Sequence, residues 1–367
     1  MELSPKVSAI AIADAIRSKR KSAREVADFY LDQVAAKDPK VKAFSWIDPL
    51  KIRRAAESLD QQIQSGQGLE RSLLGVPLPV KELTDAAGDP ATMACKAFKD
   101  RIAEQDSTAI GRLRAAGATL FGRTNSPEIG TLPVTENELY GPTHNPWNFE
   151  FTAGGSSGGA AAAVAAGMAP LAHGSDGGGS IRIPASCCHL VGLKVSRGRI
   201  PRGPLISDVL HGCAVDGCLS RHVVDTARFL DTVAYQDPTA WYTLPTPRTS
   251  YEKQLELVLP PLEFAVDSKG PLSFDCHPDY EPLLEKVATL LEKAGHHRRS
   301  QSIQWGPFGK ETLAEDFFRL WYTGSAYCEP MDFAELEPVN LALREKGLAT
   351  NSIDYVQSLL RLQAFSR

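Results

Sequence analysis

The chain has 367 residues, 43% hydrophobic and 23% charged, which is the usage of an ordinary globular protein and not of a disordered, fibrous or disulfide-stapled one. Its formal net charge of −4 offers no basic field to a phosphate backbone, so nucleic acid is not expected as a direct partner. At roughly 100–200 residues per domain the length admits one large domain or two packed lobes, with area enough to bury a sizeable core.

Residues 8–65 read as a helical N-terminal layer, because Ser22-Ala23-Arg24-Glu25 forms a capping box followed by Val26, Phe29, Tyr30 and Val34 at helical spacing. From Leu73 the pattern changes to short apolar runs alternating with helices. A run over 73–80, a helix starting near Asp106 and a strand over 119–122 predict an α/β protein. Residues 151–184 are densest in glycine and alanine, with Gly-rich turns on either side of a small-residue helix over 158–168. Such packing lets backbone approach backbone, or a substrate, closely. Ser220 precedes a helix carrying Val223, Val224, Ala227, Leu230 and Val233. Residues 237–259 are polar and proline-bearing, a linker or surface excursion. A strand–helix–strand unit follows over 262–266, 280–294 and 297–305, then further helices to Arg367, with no internal repeat or low-complexity tract.

The seven cysteines, Cys95, Cys187, Cys188, Cys213, Cys218, Cys276 and Cys328, are odd in number, irregularly spaced and without a C-x-x-C pair. They read as free thiols of a reducing, cytoplasmic compartment. Cys187-Cys188-His189 is too tight for a familiar zinc arrangement. Residues 1–6 lack the basic region and apolar run of a secretory signal. The longest apolar stretch, 160–166, is far too short to span a bilayer, and no membrane partner is expected.

Three segments could carry chemistry. Gly154-Gly155-Ser156-Ser157-Gly158-Gly159 could cradle phosphate, but lacks the terminal Gly-Lys-Ser/Thr of a Walker loop. It also satisfies G-x-S-x-G at Gly154, Ser156 and Gly158, with His211, His222 and His277 as downstream bases, although residues 148–153 make a poor strand to precede a nucleophile elbow. A formal S-x-x-K at Ser18 and Lys21 sits at a basic helix end and carries no further signal. In Asp176-Gly177-Gly178-Gly179-Ser180, three glycines before a serine allow backbone N–H groups to converge as an oxyanion hole; a tight glycine turn capped by serine is the bland alternative. Lys81 ends the apolar run Gly75-Val76-Pro77-Leu78-Pro79-Val80, where burial would lower its pKa and let it act as a base near pH 7.

Together these segments resemble the amidase signature family. Lys81, Ser156 and Ser180 stand at separations of 75 and 24 residues that agree with the family's lysine, cis-serine and serine nucleophile. Gly122-Arg123-Thr124-Asn125, Asn145-Pro146-Trp147 and Val191-Gly192-Leu193-Lys194 match as well. The resemblance implies a mixed β-sheet core covered on both sides by helices. Its expected division is an N-terminal helical layer over 1–70, the signature core over 71–236, and a C-terminal part of the same α/β domain over 237–367.

For mechanism the resemblance implies that Ser180 forms an acyl-enzyme, Ser156 relays its proton and neutral Lys81 accepts it. It assigns the oxyanion to the N–H groups of Gly177, Gly178, Gly179 and Ser180, and loop support to Ser157, Asp176 and Arg182, with no metal or cofactor. A small amide, anilide or carbamate is the implied substrate, for a monomer or homodimer. An amidotransferase subunit releasing ammonia from glutamine is the alternative, and a catalytically silent binding protein of the same fold is an alternative of another class. Tyr140-Gly141-Pro142-Thr143 and Arg199-Ile200-Pro201-Arg202-Gly203-Pro204 resemble free-standing bacterial amidases. Cys187-Cys188-His189 and Val195-Ser196 depart from the family's pattern, and a closing C-terminal segment that helps wall the pocket is expected to be lacking.

Overall fold

A computed structural model describes residues 2–204, 206–268, 276–300, 310–327 and 333–366. Ser8 caps α1 (Ala9–Arg17), its side chain accepting from Ala11 N. Ser22 opens α2 (Ala23–Val41) with the expected capping box: Glu25 N donates to Ser22 Oγ at 3.0 Å, and Ser22 N to Glu25 Oε2 at 2.8 Å. Each such cap satisfies donors that a helix start otherwise leaves orphaned. Between α2 and α3 (Pro49–Gln64) lies a strand the periodicity does not reveal, β1 (Phe44–Trp46). Ile12, Ile16, Val26, Tyr30 and Val34 on these helices join one buried cluster with Leu73, Leu74, Val76, Leu78 and Val80.

That apolar run becomes β2 (Pro77–Lys81), in which every residue is buried. α4 (Thr108–Ala115), capped by Ser107, carries the chain to β3 (Thr119–Thr124), which pairs parallel with β2. A parallel pair requires such a crossover. β1 adds antiparallel to β3, giving the order β1–β3–β2. A second sheet has the order β4–β6–β5, from β4 (Leu171–Asp176), β5 (Val191–Gly192) and β6 (Val215–Ser220), all antiparallel, and β4 lies alongside β2.

α5 (Gly158–Ala165) packs against β2, β3, β4 and β6. Its small residues permit this: a Cβ on Gly159 would lie 2.4 Å from both Ala43 O and Asn125 N. α6 (Arg182–Cys187) and α7 (Val223–Val233) flank the second sheet's strands in sequence, and α8 (Tyr251–Gln254) interrupts the stretch expected to be a linker.

The chain divides into two compact units, residues 1–255 with 328–341, and residues 256–327 with 342–367. In the second, β7 (Glu263–Phe264) and β8 (His297–Arg298) pair parallel around α9 (Tyr280–Lys293), the strand–helix–strand expected there. Residues 301–305 of the expected second strand lie outside the described residues. α10 (Lys310–Tyr327) packs on α12 (Ser352–Phe365), with Asp316 accepting from Ser358 Oγ at 2.7 Å and from Arg361. α11 (Pro338–Leu348) starts in the first unit and ends in the second. Among the described residues, no helix is long and apolar enough to cross a membrane, and no two cysteines are joined in a disulfide.

Candidate active site

Lys81 closes β2 opposite Thr124 of β3. The fully buried Arg123 clamps this strand end, one guanidinium nitrogen donating to the carbonyls of Lys81 (3.0 Å), Glu82 (3.3 Å) and Thr84. Glu82 is fixed in turn by Thr92, whose N and Oγ1 donate to Oε1 at 3.0 and 2.6 Å, and by Ser45 Oγ at 2.5 Å on Oε2. The Lys81 side chain, 0% exposed, donates from Nζ to Ser156 Oγ at 2.7 Å and to Ser175 Oγ at 3.1 Å. Burial pushes its pKa down to about 7; Asp176 and Asp216 oppose that shift, and Arg202 adds to it.

Ser156 sits where the first Gly-rich loop meets α5, and the Gly155–Ser156 peptide is cis. The loop has no room for larger residues, since a Cβ on Gly155 would lie 2.6 Å from the Val134 backbone. Ser157 ties it to the neighbouring strand and loop. Its Oγ donates to Ser175 O at 3.1 Å and accepts from Ser175 N at 3.3 Å, while its N–H donates to Ser180 O at 3.1 Å.

The phosphate reading fails on the same hydrogen bonds. The N–H groups of Gly154, Ser157, Gly158 and Gly159 are donated to Thr152 Oγ1, Ser180 O, Thr135 Oγ1 and Asn125 O, so they are not presented to an anion. The elbow reading lacks its strand, because residues 148–153 supply only an isolated bridge between Thr152 and His144. Nor are its histidines in place. His222 Nε2 lies 3.0 Å from Lys6 O, His277 lies 3.6 Å from Asp279, and His211 is half-buried near Asp208. Among the described residues none of the three is hydrogen-bonded to Ser156 or Ser180.

The second loop leaves the end of β4 at Asp176, whose carboxylate organises it. Oδ1 accepts from Gly179 N at 2.8 Å and from an Arg182 terminal nitrogen at 2.9 Å. Oδ2 accepts from Ile181 N at 3.1 Å, Arg182 N at 3.3 Å and Arg182 Nε at 2.9 Å. Burial works to raise this carboxyl's pKa, and the bidentate Arg182 fork with the backbone donors outweighs it, holding the group below the ordinary range. The Gly179 N–H is therefore turned to Asp176, at a backbone φ of +124° that favours glycine. This corrects the expectation of four converging amides and leaves those of Gly177, Gly178 and Ser180 as candidate donors.

Ser180 is 7% exposed. No hydrogen bond joins its hydroxyl to Ser156 among the described residues. Three residues close to Lys81 escaped the sequence reading: Ser175, His173 and Asp216. The signal available for the first two was the alternation of His173 and Ser175 along one strand, just before the glycine-rich motif.

The family model described as Amidase matches residues 25–315. The chain is 33% identical to a putative amidase of Synechocystis sp., over 98% of this chain and 70% of the relative. It is 41% identical to an acylamidase of Rhodococcus erythropolis, over 67% of this chain and 51% of the relative; it thus spans about half the length of that protein. The structure of 6-aminohexanoate cyclic dimer hydrolase superposes with a TM-score of 0.88 at 29% identity, over 99% of this chain and 76% of that one. With the family model covering most of its length and the Synechocystis relative aligned nearly end to end, the chain belongs to the amidase signature family.

Proposed function

We propose that this chain hydrolyses amide-type carbon–nitrogen bonds through an acyl-enzyme on Ser180, with Ser156 relaying the proton to Lys81. The observation that carries this reading is the buried Lys81 ammonium 2.7 Å from Ser156 Oγ, on a loop whose next residue donates its N–H to Ser180 O. With a pKa near 7, about half of Lys81 is neutral at neutral pH and able to accept a proton. Ser180 attacks the carbonyl carbon as its proton passes through Ser156 to Lys81. The amides of Gly177, Gly178 and Ser180 receive the oxyanion, each worth roughly 3–4 kcal/mol in the transition state. Lys81 then returns the proton through Ser156 to the departing amine, because an amide anion is a poor leaving group. Water repeats the cycle to free the acid.

Acyl and aryl amides, and carbamates, are the proposed substrates of a free-standing cytoplasmic enzyme, monomeric or homodimeric. The test is turnover of an anilide together with labelling by a fluorophosphonate. Ser180→Ala and Lys81→Ala should each lose at least about 10³-fold in kcat, and Ser180→Ala should lose the adduct. His211→Ala and His222→Ala should stay near wild type. Near-wild-type turnover by Ser180→Ala would overturn the reading.

A further inference from the structure

Beside Lys81 the chain buries a charge that the proposed reaction does not use. β4 and β6 pair with Ser175 opposite Asp216 and His173 opposite Cys218. Opposed residues share a face of a sheet and alternate residues return to it. His173, Ser175 and Asp216 therefore lie on one face, the face from which Ser175 Oγ accepts the Lys81 ammonium at 3.1 Å. Asp216 is 2% exposed and His173 0%. Asp216 Oδ1 lies 3.7 Å from His173 Nε2 and 3.6 Å from an Arg202 terminal nitrogen.

Those are ion-pair distances, too long for hydrogen bonds. The contrast with Asp176 is informative. Both Asp176 oxygens are saturated by Arg182 and backbone amides, whereas Asp216 Oδ1 and both His173 ring nitrogens take no hydrogen bond among the described residues. A buried carboxylate left so incompletely satisfied is costly, and such groups concentrate where their field is used. His173 does not cancel it: burial pushes the imidazole's pKa down, so the ring is neutral. Burial works to raise the Asp216 pKa, yet the Arg202 guanidinium, with the Lys81 ammonium, holds it well below the ordinary carboxylate range, so the carboxylate stays charged.

We propose that Asp216 is a positioning residue for Lys81: its buried carboxylate, paired with Arg202 and flanked by His173, stabilises the ammonium that forms when Lys81 accepts the proton. The inference rests on the reading of Lys81 as general base. The other charged groups around Lys81 are Asp176 on β4, and Arg123 on β3 with Glu82 beside the lysine, which pair with each other at 3.9 Å. Without Asp216, burial would leave Lys81 a weaker base, further from the proton affinity that best serves transfer near neutral pH.

The experiment is the pH dependence of kcat/KM for an anilide. Activity rises through the Lys81 pKa, so Asp216→Asn should move that acidic limb down by about 1 pH unit and lower the plateau several-fold. Asp216→Glu should restore the limb to within a few tenths of a unit of wild type. Arg202→Met, which removes the opposing charge, should move the limb up. An unmoved limb in Asp216→Asn overturns the proposal, as does movement of both variants in the same direction. If circular dichroism shows Asp216→Asn unfolded, Arg202→Met decides: an upward shift supports the proposal, and no shift or a downward one overturns it. Ser180→Ala and Lys81→Ala separate the two readings. Activity retained in either sinks the proposed mechanism, whereas activity lost in both with an unmoved Asp216→Asn limb sinks this inference alone.

Discussion

Replacing Lys81 with methionine should stabilise the chain at neutral pH while abolishing turnover, and the gain should vanish as the pH rises. The ammonium's pKa is pushed from 10.5 down to about 7 by burial. Between those values the unfolded chain binds one more proton than the folded one, so wild-type stability climbs with pH by up to about 1.4 kcal/mol per unit. The penalty of keeping this lysine is full below pH 7 and gone above 10.5. Integrated over the window it amounts to about 4 kcal/mol at pH 7. Methionine fills most of the volume without the charge. Against the gain stand the bonds to Ser156 Oγ and Ser175 Oγ, at about 1 kcal/mol each. Lys81→Met should therefore be about 2 kcal/mol more stable than wild type at pH 7, and no more stable by about pH 10. Urea unfolding of both proteins at four pH values between 7 and 10 measures this, and groups common to the two cancel in the difference. A difference that does not change across the range would mean that Lys81 ionises normally in the folded chain, and the argument for a neutral base would fail.

Asp176→Asn keeps the shape of the loop-organising residue but removes the charge that Arg182 and the Gly179, Ile181 and Arg182 amides converge on. Steady-state kinetics with an anilide should show kcat lower by about 10²-fold with KM changed little, because the loop that Asp176 holds also carries the Gly177, Gly178 and Ser180 amides proposed to receive the oxyanion. Ser157→Ala strips Ser175 of the hydroxyl that satisfies both its N–H and its C=O, and should cost about 1–3 kcal/mol in chemical denaturation. Gly159→Ala places a Cβ 2.4 Å from two backbone atoms. It should destabilise by about 3 kcal/mol, read as a lower urea midpoint.

Much of the candidate site was legible in the sequence because the residues proposed to carry its chemistry have a local context that is itself a signal. Lys81 stands at the end of an apolar run that becomes a wholly buried strand, and the serines sit among glycines that no other residue could replace at Gly155 or Gly159 without a backbone clash. The N-terminal helices were legible for a similar reason, since the Ser22 capping box is a local hydrogen-bond pattern. β1 was not, because three residues are too few to show a period. Nor were β4 and β6. Their burial patterns are nearly unbroken, so they lack the apolar–polar alternation of a half-exposed strand, and they carry His173, Asp176, Asp216 and Ser220 inside.

The run from Gly177 to Ser180 reads in sequence as a turn of converging donors, whereas in the structure the Gly179 N–H turns to Asp176. Which amide faces the substrate and which faces Asp176 depends on backbone torsions that four consecutive small residues leave open. The same limit explains Asp216. In sequence it is a polar residue in the middle of Val215-Asp216-Gly217-Cys218, as compatible with a solvent-facing edge as with an active-site wall. Its meaning comes from register alone, since pairing with Ser175 turns it to the Lys81 face, and a one-residue slip of β6 would turn it to the opposite one. Residues defined by their chain neighbours could be found by motif; those defined by the strand across from them required the sheet.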